Sequence, residues 1–279
     1  MAGAGLTYGD WLERVPDLVQ DSVARWELRL GERYPPGAAG YVVRAWLPDG
    51  SPAVLKVIFP HREAEHEADA LAVWNGDGAV RLLATDPEGC AMLMERCEPG
   101  TLLAHAGPDV ALDVLIGLLP RLWRTAGDCF HSLADEVEIW LEEMPAAWEL
   151  ADRPLERGLL DEVMETLRAL AASQGEQVLL HQDLHTDNVL AAEREPWLAI
   201  DPKPLLGERE FGIAPIVRDY VLGHSRRDVV HRLDRLTSEL GLDRERARWW
   251  TIGQTTAWMF ESTHMHGHAE TIQWLREAA

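Results

Sequence analysis

Apolar residues recur at helical spacing through Leu12, Val15, Leu18 and Val19, which predicts a helix from Leu12 to Arg29 with Pro16 obscuring its start. Pro35-Pro36-Gly37 breaks that period. Two alternating or apolar runs follow, Tyr41 to Leu47 and Ala53 to Phe59, separated by the turn signal Pro48-Asp49-Gly50. They predict an antiparallel hairpin whose second strand carries Lys56. A further helix is predicted from Arg62 to Trp74, closed by Asn75-Gly76-Asp77-Gly78. Short strands are expected at Val80 to Leu83 and Ala91 to Met94, on either side of Asp86-Pro87-Glu88-Gly89. After Pro99-Gly100 the helical period dominates, through Pro108 to Leu122, Pro154 to Ala172, Val217 to Gly223, Asp228 to Leu240 and Arg244 to Phe260. Trp140 and Trp148 lie in an acidic, Trp-rich stretch, Ile139 to Leu150, which reads as core or as the lining of a ligand pocket. Two short apolar runs, Val178 to Leu180 and Trp197 to Ile200, each stand immediately before a polar constellation. The sum is an α+β chain: a small mixed sheet with one prominent helix, then a mainly helical part. Its 279 residues suffice for one bilobal unit or two tightly joined domains.

Composition narrows the partners. With 47% hydrophobic and 26% charged residues the chain is globular rather than disordered. Twenty-six Lys and Arg against 47 Asp and Glu give a formal charge of −21, which repels nucleic-acid phosphates and favours encounter with a cationic small molecule. A solvated acidic surface accounts for the same excess. Cys90, Cys97 and Cys129 form neither a paired framework nor a CxxC knuckle, so a reducing compartment is expected. The start of the chain lacks the features of a secretory signal, and the apolar run Ala111 to Leu119 is short and interrupted by Asp113. No membrane span and no obligate protein partner are expected, and the cytoplasm is the expected location.

The densest chemistry is His181-Gln182-Asp183-Leu184-His185-Thr186-Asp187-Asn188, followed downstream by Ile200-Asp201-Pro202-Lys203. Both stretches follow apolar strand signals, so Asp183, Asn188 and Asp201 fall near strand ends. Taken locally, such a segment is also an Asx-rich turn satisfying its own backbone. His181 and His185 stand four apart but in a loop and outside an HExxH pattern, so they are not read as a zinc pair. His264-x-His266-x-His268 is read as surface or packing. Gly223-His224-Ser225-Arg226-Arg227 lacks the second glycine of a nucleophile elbow.

The segments HQDLHTDNVL, AIDPKP and GEREFG resemble the aminoglycoside phosphotransferase group of kinase-like enzymes, within it the streptomycin 6-kinase or hydroxyurea-phosphotransferase-like branch. The resemblance spans most of the chain. It implies a bilobal protein-kinase-like fold, with a nucleotide-binding lobe over residues 1–96 and a catalytic, acceptor-binding lobe over 97–279. It implies ATP and Mg²⁺, with Asp183 meeting the proton of the phosphate-accepting hydroxyl and Asn188 and Asp201 as metal ligands. Lys56 would contact the ATP phosphates, held by Glu67, with Glu63 as the other option. Gly37 and Gly40, in a reduced glycine loop rather than GxGxxG, would cover the phosphates. Met94 would border the adenine, whose edge would meet the backbone of Glu95 and Cys97. The implied reaction is transfer of the γ-phosphate to an alcohol of an aminoglycoside or related small molecule, inactivating an antibiotic. Glu208, Glu210, Glu142 and Glu143 are the acidic residues that would attract a cationic acceptor. One departure concerns Gly212, where this branch commonly carries another Asp. It leaves open a second reading, a catalytically inactive kinase-like binding protein.

Overall fold

The structure, a computed structural model, describes residues 7–35, 40–86, 91–260 and 262–278. In chain order its elements are α1 (Tyr8–Trp26), β1 (Arg29–Arg33), β2 (Gly40–Trp46), β3 (Pro52–Ile58), α2 (Glu67–Trp74), β4 (Leu82–Thr85), β5 (Ala91–Glu95), α3 (Pro108–Leu122), α4 (Leu133–Leu150) and α5 (Arg157–Ala172). Then come β6 (Gln177–Leu180), β7 (Val189–Ala191), β8 (Trp197–Ala199), β9 (Leu205–Glu208), α6 (Ala214–Val217), α7 (Arg226–Leu240), α8 (Arg244–Met259) and α9 (Met265–Arg276). Contacts divide the chain into two units, Met1–Thr101 with Leu190–Lys203, and Leu102–Val189 with Pro204–Ala279.

In the first unit, Thr7 starts α1 several residues earlier than the apolar period suggests. Its Oγ1 accepts the Asp10 N–H at 3.2 Å while Asp10 takes the Thr7 N–H at 3.1 Å, a reciprocal cap. Pro16 is accommodated inside the helix, and Glu27 ends it in the left-handed region at φ 51°. Arg29, read as the end of this helix, begins β1 instead. The sheet runs β1-β2-β3-β5-β4, with antiparallel neighbours throughout. Register aligns Val42, Lys56 and Met92 across three strands. Side chains alternate faces along a strand, so Leu55 and Val57 point opposite to Lys56. That opposite face packs with Trp11, Val15 and Val19 of α1, together with Val43, Ala45 and Leu93, into one core. The face bearing Lys56 also carries Met92 and Met94. The helix expected from residue 62 is a 3₁₀ turn, Arg62–Ala64, followed by the shorter α2. Residues 190–203 return to this unit through the β7–β8 pair and through Val80 N–H donating to the Ala199 carbonyl at 3.0 Å.

The second unit is built of α3 to α9 around the antiparallel pair β6–β9, in which Leu180 faces Leu205 and Gln177 faces Glu208. The Trp-rich stretch belongs to α4, and both of its indoles serve the core. Trp148 Nε1 donates to the Leu155 carbonyl at 2.8 Å, and Trp140 lies 6.0 Å from the Phe211 ring, which meets Trp250 edge-on at 5.4 Å. The segment expected to be helical over residues 217–223 is the end of α6 followed by a 3₁₀ turn, Tyr220–Leu222. Among the described residues no helix is long and apolar enough to cross a membrane.

Candidate active site

Within the first unit, the sheet and α2 bring three charged side chains together. Lys56 leaves β3 on the face away from the α1 core, and its ammonium donates to both oxygens of Glu67, at 2.6 and 2.7 Å. It also donates to Asp201 Oδ1. Burial works against the charge on Lys56, but the two carboxylates outweigh it and hold its pKa above the ordinary lysine value. One cation facing two anions leaves the buried carboxylate short of compensation. Glu67 is accordingly pushed up to about 7 by burial, with the Asp201 charge adding to the rise and Lys56 opposing it. Asp201 differs in exposure: 53% of its side-chain surface is open. Its backbone sits at φ 57°, a conformation Asp tolerates better than most residues and one that recurs at functional sites. Glu63 pairs with Lys203 at 3.5 Å, so the residue on Lys56 is Glu67.

Gly40 lies over the lysine stem, where an added Cβ would stand 3.4 Å from Lys56 Cε. Gly37 lies outside the described residues. Met94 shares the sheet face of Lys56, opposite Val54 in the register. The Glu95 carboxylate is locked by Arg194, at 3.0 and 2.6 Å, and accepts the Arg81 N–H at 3.0 Å. The Glu95 N–H is taken up as well, donating to the Arg81 carbonyl at 3.0 Å. Cys97 is buried, and burial first, then the Glu95 charge, pushes its thiol up to about 12. A cleft of about 220 Å³ runs along the connector between Pro52 and Arg194.

In the second unit, β6 delivers the chain into a tight reversal. Asp183 N–H donates to the His181 carbonyl at 2.8 Å across Gln182, whose φ is 62°. A 3₁₀ turn, Thr186–Asn188, follows. Asn188 Nδ2 donates to the Asp183 carbonyl at 2.8 Å and lies 3.4 Å from its Oδ2. Spending the amide nitrogen inside the loop leaves Oδ1 as the oxygen that can serve a hard cation. His185 braces the turn. Its Nδ1 accepts the Asp187 N–H at 3.3 Å, and its Nε2 lies 3.2 Å from Asn188 Nδ2 and 3.8 Å from Asp183 Oδ1. Asp183 itself is 14% exposed. Asp183 and Asn188 therefore form one preorganised pair, held in a loop that His185 braces.

The acidic residues read as acceptor contacts separate. Glu208 is 2% exposed, and its oxygens are occupied by Trp250 Nε1, by Arg246 at 2.7 and 3.0 Å and by the Gly175 N–H at 3.0 Å. It lies in β9, a strand the apolar pattern does not announce, and holds the unit together instead of meeting a ligand. Glu210 Oε1 accepts the Asp243 N–H at 3.2 Å. Glu142 and Glu143 are exposed on α4. Gly212 is buried, and a Cβ there would lie 3.1 Å from both Leu180 Cδ2 and Trp123 Nε1. Motif reading passes over Arg218, Asp219 and Gln254, all buried beside the Asp183 loop. The available signal was a charged pair directly after the apolar run 213–217.

Residues 25–263 match the family described as aminoglycoside/hydroxyurea antibiotic resistance kinase. A streptomycin 6-kinase of Streptomyces glaucescens is 40% identical over 263 residues, spanning 90% of this chain and 85% of the relative. A hydroxyurea phosphotransferase of Kitasatospora aureofaciens is 40% identical over 250 residues, spanning 88% and 72%. Among solved structures, a choline kinase from Streptococcus pneumoniae superposes with a TM-score of 0.64 at 12% identity, covering 95% of this chain and 99% of that one. A thermostable mutant of aminoglycoside phosphotransferase APH(4)-Ia, in ternary complex with ADP and hygromycin B, gives 0.58 at 12% identity, covering 93% and 95%. The structural likenesses establish a protein-kinase-like fold. With kinase relatives at 40% identity across most of its length, the chain belongs to the aminoglycoside/hydroxyurea antibiotic resistance kinase family.

Proposed function

We propose that this kinase transfers the γ-phosphate of ATP to a hydroxyl group of a cationic aminocyclitol antibiotic, with streptomycin the first acceptor to try, and so inactivates it. The observation that carries the reading is the buried Lys56 ammonium bracketed by Glu67 and the half-open Asp201. A cation fixed in this way is suited to draw in a phosphate, and the donor set fits a phosphate-bound metal. Residues 1–96, joined by 190–203, make the nucleotide-binding part, and the remainder of 97–279 makes the catalytic and acceptor part. Lys56 orients the phosphates and Glu67 holds Lys56. Gly40, at the start of β2, lies over the Lys56 stem where the phosphates would be covered, while Met94 and the backbone of Glu95 and Cys97 frame the adenine. Asn188 Oδ1 and the Asp201 carboxylate are the oxygens offered to Mg²⁺, which when bound neutralises charge on the transferring group. Asp183 orients the attacking hydroxyl and accepts its proton. Glu142, Glu143 and Glu210 remain available to a cationic acceptor, and Glu208 does not. The cytoplasm, where ATP is present, is the proposed compartment.

The experiment is ATP- and Mg²⁺-dependent incorporation of labelled γ-phosphate into streptomycin, other aminoglycosides and hydroxyurea, with product mapping. Transfer to streptomycin is expected. Transfer to hydroxyurea alone would overturn the aminocyclitol reading. No transfer from folded, ATP-binding protein would support the inactive binding protein that the Gly212 departure leaves open.

A further inference from the structure

The loop carrying Asp183 and Asn188 is gripped on both sides of Asp183 by one adjacent pair, Arg218-Asp219. On the far side, Asp219 Oδ2 accepts the Thr186 N–H at 2.9 Å. Thr186 is fully buried, so no water stands ready to replace that oxygen. On the near side, Arg218 Nη1 donates to Gln254 Oε1 at 2.7 Å, and Gln254 Nε2 donates to the Gln182 carbonyl at 3.1 Å, one residue before Asp183.

The pair is itself held. Asp219 Oδ1 accepts the Val221 N–H at 2.9 Å, fixing the carboxylate at the start of the 3₁₀ turn. Arg232, almost wholly buried, donates to the carbonyls of Val217 at 3.0 and 2.8 Å, Leu222 at 2.9 Å and Gly223 at 2.8 Å, closing the chain around Asp219. Arg218 lies 4.6 Å over the Trp258 ring. Burial pulls the Arg218 guanidinium down to about 10, and the charges of Asp183 and Asp219 oppose that fall. Buried charges are costly unless they are paired and hydrogen-bonded, and here each makes a bond that ends on the Asp183 loop or its support.

We propose that Asp219, with Arg218 acting through Gln254, is the positioning device of the catalytic loop, setting the register of Asp183 and Asn188. The proposal rests on Asp183 being the catalytic carboxylate.

The test uses the full chain with D219A, D219N and R218K. Steady-state kinetics, ATP affinity, thermal unfolding and amide exchange across residues 181–188 are measured on each. D219A is expected to lower kcat roughly ten- to hundredfold through loop misplacement, with KM for ATP within about threefold of wild type. Exchange at Thr186 should accelerate at least about tenfold relative to the β2–β3 strands as the local opening cost falls. D219N keeps one amide oxygen, and R218K keeps the charge, so both should lose less than D219A. Folded D219A with unchanged kcat and unchanged Thr186 exchange overturns the proposal. So does a loss in which kcat, KM for ATP and unfolding temperature move together, the mark of a merely structural residue. If D219A does not fold, D219N decides: unaltered kcat and exchange overturn the idea. Should wild type transfer phosphate to nothing, the functional reading fails, while accelerated Thr186 exchange in the variants would still support the clamp.

Discussion

Asp183 leaves β6 through a reversal that hides most of its side chain and ties its carbonyl to Asn188. The carboxylate is therefore held in place by the loop, and in the role proposed for it its removal should act on the chemical step. D183A is expected to lower kcat by about 10²- to 10⁴-fold, the usual worth of a positioned base. ATP affinity should be retained, and equilibrium binding alongside turnover separates the two; wild-type turnover in D183A rejects the assignment. His268 carries a second prediction at this scale. Burial, reinforced by the Arg218 cation, pushes its pKa from 6.5 down to about 4. The folded protein thus resists a proton that the unfolded chain accepts. Between about pH 6.5 and 4 the unfolded state binds more protons, so stability from this group is present above the unfolded value and is lost as pH falls through that window. H268N should flatten that part of the stability profile in urea unfolding at stepped pH. An identical acid slope in H268N would show that other groups dominate it.

Glu208 shows how an element decides what a residue can do. As part of a polar-looking GEREFG segment it reads as an exposed acid, but β9 pairs with β6 and turns the carboxylate into the interior, against Arg246 and Trp250. Removing one partner of a buried ion pair is costly, so E208A should lose about 3 kcal/mol, read as a lower urea midpoint. Its KM for the phosphate acceptor should stay unchanged in the folded protein; a selective rise in that KM with normal stability would return Glu208 to the binding surface. The same contrast explains which parts of the fold were legible. The hairpin around Pro48-Asp49-Gly50 was readable because turn chemistry and alternation agree there, and the Lys56 strand came with it. The polar 181–188 stretch stood out because each neighbouring strand signal is apolar. β1 was not legible, since Arg29–Arg33 is mostly exposed and has no apolar alternation. α9 was masked by polar His264, His266 and His268 at its start, although Ile272 and Leu275 bury its inner face. Arg218, Asp219 and Gln254 escaped because a buried polar network is a property of packing, with no local spacing to betray it.

At the scale of the whole molecule, the chain crosses between its units three times, after Thr101, Val189 and Lys203, and a single boundary near residue 96 does not describe it. Residues 190–203 return to the first unit, so Asp201 reaches Lys56 although 145 positions separate them. Long-range charge acts over the same scale. A net charge of −21 spreads a negative potential that attracts a polycation and repels ATP alike. Screening distinguishes these effects from contact at the site, because the Debye length shrinks from about 10 Å at 0.1 M salt to about 3 Å at 1 M. With ATP and Mg²⁺ saturating, kcat/KM for a polycationic aminoglycoside should fall severalfold as salt rises across that range. A neutral acceptor such as hydroxyurea, if it is turned over, has no charge to steer and should hold its value. Viscosity-matched controls remove the diffusional contribution common to both. Parallel salt dependence for the two acceptors would mean that the acidic surface serves solvation alone and takes no part in capturing the substrate. Divergence would assign part of that excess of 47 acidic over 26 basic residues to the reaction itself.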